Sequence, residues 1–169
     1  MKLMRVSLPG WKTVGEIHTA KASTQTAQHR AKSTSLRDWS KSSKAKQPTA
    51  YPSGLLETKS SAGEKRPLPY AALSYCWGGE QSFKLTHDRV TGWRSSIPYE
   101  ELPQTLKDAF IVCLKLGIGC LWVDALCILQ DDVRDKTVQI ANMPAIYRNS
   151  AVTITAASAS AASQGFLAR

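Results

Sequence analysis

Asp124 is the one acid in the run Leu121-Trp122-Val123-Asp124-Ala125-Leu126-Cys127-Ile128-Leu129-Gln130. A carboxylate among so many apolar neighbours is costly to bury unless it is paired or stands at the rim of a site. Two roles fit it. It is either a functional group at the end of a buried strand, orienting a ribose hydroxyl or another substrate, or a cap accepting amides of the next turn. The stretch Tyr70-Ala71-Ala72-Leu73-Ser74-Tyr75-Cys76-Trp77-Gly78-Gly79 is built alike, an apolar strand running into small and aromatic residues. Trp77 suits stacking on a flat ring, with glycines that let the ring approach the backbone. A tight turn under a packed tryptophan suits the same residues equally. The candidate ligand-edge residues are therefore Ser74, Tyr75, Trp77, Gly78, Asp124 and Gln130, with Asp124 the candidate catalytic group.

Other chemistries are less well supplied. The four cysteines, at 76, 113, 120 and 127, form no C-x-x-C pair, and histidines stand only at 18, 29 and 87. Zinc-ligand spacing is absent, and no metal site is expected. Cys76 and Cys127 as nucleophiles would need a base. The sequence places none beside them, so they read as reduced, buried, apolar thiols. Asp131, Asp132 and Asp135 suit either a divalent cation or a helix start, the latter favoured by the helix dipole.

Positioning Asp124 beside the 74–78 turn needs a β-α-β-α-β arrangement. Residues 68–76 are predicted as a first strand, entered through Pro67 and Pro69 and broken by Gly78-Gly79. Residues 81–101 read as irregular, with 87–89 and 94–96 as loop or short-helix surface. Thr105 and Asp108 resemble a capping box opening a helix. Leu106, Ala109, Phe110, Cys113, Leu114 and Gly117 then recur at helical spacing, with Gly117 as the left-handed cap. The strand Cys120–Val123 follows. Near-continuous apolar strands joined by a helix imply a parallel sheet whose strand ends share one edge, where open α/β sheets bind ligands. A second helix over 137–148 is expected to bury Val138, Ala141, Ala145 and Ile146, with Pro144 kinking or shortening it. Residues 151–157 alternate as a third strand. No closing helix follows, so the fold class expected is a small α/β parallel sheet with flanking helices, apparently truncated at its C-terminus.

Charge divides the chain. Residues 1–70 hold 13 Lys/Arg against 4 Asp/Glu, and residues 71–169 hold 9 against 9, so the formal +9 belongs to the front part. A uniformly basic nucleic-acid-binding domain is disfavoured. The front is rich in Ser, Thr, Lys and Gln and poor in large apolar residues, which predicts a disordered basic tail over 1–54. A mitochondrial transit peptide is the lesser alternative, since the cations are mostly lysine and no amphipathic stripe is evident. Leu55-Leu56-Glu57 suggests a short strand preceding a domain over 55–169 with its core at 68–169. No run reaches the ~18 apolar residues of a membrane span, and reduced thiols suit a cytoplasmic protein.

Five ordered motifs then carry a family resemblance. They are Tyr70-x-Ala72-Leu73-Ser74-Tyr75-Cys76-Trp77-Gly78, Leu102-Pro103-Gln104-Thr105-Leu106-x-Asp108-Ala109, Leu116-Gly117-Ile118, the Leu121–Asp132 run, and Met143-x-x-Ile146-Tyr147-x-Asn149-Ser150. In order and spacing they resemble the fungal heterokaryon incompatibility (HET) domain over residues 68–169. The resemblance implies non-self recognition, with growth arrest or cell death signalled through self-association or a protein partner. It also implies a distant likeness to TIR domains, hence a flavodoxin-like core and NAD as a candidate substrate. Two departures bear on that activity: Lys136 and Gln139 stand where the family usually has Trp and Glu, and the helix carrying the TIR catalytic Glu would lie beyond Arg169. Three readings follow: a HET signalling domain, a TIR-like NAD nucleosidase, and an inactive truncated remnant.

Overall fold

Four residues from the basic front, Lys2–Arg5, form strand β1 with Leu3 and Met4 fully buried. In the computed structural model, which describes residues 1–6, 54–57 and 68–167, β1 lies inside the sheet. A disordered tail beginning at residue 1 is thereby corrected for residues 1–6. Alternate side chains of this strand serve opposite faces, so two apolar residues flanked by Lys2 and Arg5 suffice to fill both. The remainder of the predicted tail, 7–53, lies outside the described residues. Every described residue belongs to one unit, Met1–Leu8 with Ala50–Ala168.

The other strands are β2 (Leu55–Glu57), β3 (Ala71–Ser74), β4 (Cys120–Trp122) and β5 (Val152–Thr155), and the sheet order is β2-β1-β4-β3-β5. β3 runs parallel to both β4 and β5, with Ala71 opposite Leu121 and Val152. β1 is antiparallel to β4 and β2. The sheet is therefore mixed, a parallel trio extended by an antiparallel pair, rather than wholly parallel. The expected strand over 68–76 shortens to four residues because the chain leaves the ladder after Ser74.

Helices cover both faces. The stretch expected to be irregular contains α1 (His87–Ser95), whose Trp93 stacks on Phe83 at 4.8 Å between centroids. Next, α2 (Gln104–Leu116) ends at Gly117, φ 70°, where the Gly117 and Ile118 amides bond back to Leu114 and Cys113. Together α1 and α2 bury Trp93, Leu106, Ala109, Phe110 and Cys113 against Met4, Ala71, Leu73, Leu121 and Ile154. After the four-residue α3 (Asp124–Cys127) comes α4 (Val133–Arg148), packed on the opposite face over Leu3, Ala72 and Trp122.

Two readings of these helices are corrected. Thr105 and Asp108 do not form a capping box, because Pro103 occupies the cap and both side chains are buried in contacts elsewhere. The apolar stripe expected on α4 is not its packing face: Val138 is 55% exposed and Ala141 is exposed, while Ile146 is buried. Lys2 Nζ, 2.8 Å from Asp135 Oδ2, and the Tyr147 hydroxyl, donating to Leu73 O at 3.0 Å, draw a more polar face inward. Pro144 lies within α4 without ending it. No described helix is long and apolar enough to cross a membrane.

The buried front strand yields a direct test. Leu3→Ala and Met4→Ala should each destabilise the fold by about 2–5 kcal/mol, the usual range for emptied core sites. Urea unfolding measures this; a tail outside the fold would leave both midpoints unmoved.

Candidate functional site

The parallel register carries Ala72 opposite Trp122, so two residues later Ser74 lies level with Asp124. Beyond Ser74 the chain turns, and Trp77 returns its indole Nε1–H to Asp124 Oδ2 at 2.9 Å. The carboxylate's other oxygen accepts the Ala125 amide at 2.6 Å. Asp124 opens α3 behind Val123 at the cap, so this bond is local to the first turn, while the Trp77 bond reaches across the strand ends.

Tyr75 completes the cluster. Its hydroxyl is buried facing Asp124, yet has no partner of hydrogen-bond geometry among the described residues. Burial, then the Asp124 charge, push the Tyr75 phenol well above its ordinary range. Burial likewise raises the Asp124 carboxyl above 3.8, opposed by the Ala125 amide and the Trp77 indole. Tyr147 is raised for the same two reasons, burial first and then Asp124. The centre is thus a desolvated carboxylate among aromatic hydroxyls, with no cation contributing to its shift.

Gln130 takes a different part. Its Nε2 donates to Asp124 O and Ile128 O, both at 3.1 Å, and its amide donates to Leu85 O at 2.8 Å. Leu85 N in turn reaches Ala125 O at 2.8 Å, so Gln130 clasps α3. Gly78 has φ +76°, and a Cβ there would stand 2.2 Å from Ala161 Cβ. The structure therefore groups Ser74, Tyr75, Trp77, Gly78 and Asp124, with Gln130 attached through the backbone of α3.

The remaining candidates lie elsewhere. Asp132 caps α4 through the Arg134 and Asp135 amides. Asp131 accepts the His87 amide at 3.0 Å and stands 3.1 Å from its Nδ1, contacts that lower its carboxyl. Asp135 accepts Leu129 N at 2.8 Å besides Lys2; burial raises it, but Lys2 and that amide outweigh burial and it lies low. No three metal-binding side chains converge among the described residues. Burial pushes the Cys113 and Cys127 thiols up to about 12, and Cys120 is raised too. Cys76 is exposed, which corrects its reading as buried, because it sits on the turn after β3.

Gln139 donates to Asp135 Oδ1 at 3.4 Å and lines a cleft of about 790 Å³ with Tyr70, Asn142, Ile146 and Asn149. None of the grouped strand-end residues lines that cleft. What the sequence did not suggest is the role of Thr105 and Asp108. Thr105 Oγ1 accepts the Gly165 amide at 3.2 Å, and Asp108 Oδ2 accepts the Phe166 and Leu167 amides at 2.7 and 2.9 Å. Their spacing of three placed both on one face of α2, the signal that was available.

An α/β sheet with parallel strands ending in a tryptophan-bound carboxylate defines the class. The family model described as Heterokaryon incompatibility protein (HET) matches residues 70–169, and the chain belongs to that family. No curated protein and no solved structure matches the chain.

The raised Asp124 sets a pH signature. Its folded pKa exceeds the unfolded one, so the native state holds the extra proton between them and wild-type stability falls as pH rises through that window. Asp124→Asn lacks this proton, so its stability relative to wild type should climb from about pH 4 upward. Paired urea titrations across the acid range check it; a flat difference would show Asp124 titrating normally.

Proposed function

We propose that this chain serves heterokaryon incompatibility as a signalling domain that triggers growth arrest or cell death by associating with itself or a protein partner. Family membership supports the process. The observation that carries the mechanism is α4, which leaves Val133 79%, Ile140 56% and Val138 55% exposed. Val133 and Ile140, seven residues apart, share one side of the helix. Large apolar residues clustered on one solvent-facing helix suit a protein contact.

Sedimentation velocity of the full chain should show concentration-dependent association that Ile140→Asp abolishes. Regulated expression in fungal hyphae should arrest growth, and the same variant should relieve the arrest. A monomer at the highest soluble concentration, together with undisturbed growth, would sink the reading. The desolvated Asp124 beside the Tyr75 hydroxyl favours a second reading, NAD hydrolysis at the strand ends. That reading expects nicotinamide release from NAD, lost in Asp124→Ala.

A further inference from the structure

After β5 the chain does not leave the sheet. Ala156 N bonds to Ser74 O at 2.9 Å, and residues 156–167 then cross the end of β3 to reach α2. Ala162 N donates to Trp77 O at 3.2 Å, and Thr105 N donates to Ala162 O at 2.9 Å. Farther on, Gly165, Phe166 and Leu167 give their amides to Thr105 Oγ1 and Asp108 Oδ2. Ala161 presses on Gly78, so the segment lies against the turn that delivers Trp77 to Asp124.

Composition sets how firmly it is held. Its buried side chains are Ala156, Ala159 and Ala162, with Phe166 and Leu167 half-buried. Alanines remove little apolar surface from water, so attachment rests mainly on these backbone bonds. The segment also carries bonds of its own: Ala159 N to Ala156 O, Gln164 N to Ala161 O, and Ser160 N to Gln164 Oε1. Such internal bonds preserve its shape when the external ones break.

We infer that residues 156–167 are a strap that detaches as a unit from the strand ends while the sheet stays folded, uncovering the Trp77–Gly78 turn. The latch is the Thr105–Asp108 pair, a hydroxyl and a carboxylate that are 0% and 1% exposed and turned toward the strap amides. The inference stands apart from the association reading, since no residue of α4 takes part.

Gly165→Ala tests it in the full chain. Gly165 has φ +76° and its added Cβ would lie 2.6 Å from Asp108 Oδ2, so the substitution strikes the latch from the strap side. Amide hydrogen exchange should speed up about tenfold at 162 and 165–167, the effect of losing one hydrogen bond, while Leu73 and Leu121 keep their protection. Hydroxyl-radical oxidation of Trp77 should rise, with Trp122 unchanged. Thr105→Val removes only the buried hydroxyl and gives the same readouts should the glycine variant fail to fold. Strap and strand amides losing protection together, or Trp77 oxidation unaltered on strap release, would overturn the inference.

Discussion

A carboxylate at the end of an apolar strand must be given donors, and around Asp124 that need shapes the strand ends. Water is largely excluded there, and no cation is supplied. The carboxylate is held by an indole N–H from the turn after β3 and by the amide of the next residue. Trp77 can deliver its indole because β3 and β4 run parallel with Ala72 opposite Trp122, which brings the turn after β3 beside the start of α3. The parallel direction, in turn, follows from the α2 crossover, which returns the chain the same way. One hydrogen bond at 2.9 Å thus joins the turn after β3 to the start of α3.

The same arrangement explains why the parallel part was legible and the antiparallel part was not. β3 and β4 announce themselves by apolar continuity, β5 by alternation, and α2 by its three- and four-residue spacing and its glycine stop. β1 announces nothing. It is four residues long, begins and ends in cations, and pairs with strands far away in sequence. Its long-range partners Leu55–Glu57 and Cys120–Leu121, not its own pattern, make it a strand. The family match begins at Tyr70, so β1 and β2 add to the sheet from outside the matched span.

On α4 the sequence misled for a related reason. Val138 and Ala141 looked like a core stripe, but polar anchors decided the rotation of the helix. Lys2 from β1 reaches Asp135 where both side chains are largely shielded, and the Tyr70 hydroxyl donates to Ile146 O at 2.6 Å. Periodicity reads apolar residues one helix at a time. It cannot see an ion pair whose cation belongs to a strand that was itself unrecognised. The exposed apolar residues of α4 are the consequence, so the error in the core and the candidate contact surface have one cause.

Thr105 and Asp108 show how one local motif can be legible in its residues yet not in its use. A hydroxyl and a carboxylate three apart at a helix start ordinarily turn back on the helix's own amides. Here Pro103 takes the cap, which moves the pair two positions into α2 and onto its packed face. A buried carboxylate requires donors that replace the water it has lost. The amides of Phe166 and Leu167 provide them, along with the Gln104 side chain at 2.8 Å. The need of Asp108 is therefore met by the chain crossing the strand ends, much as the need of Asp124 is met by the turn beneath it. Two acids, each taking at least one donor from a distant segment, thus tie the turn after β3 to α3 and the chain after β5 to α2.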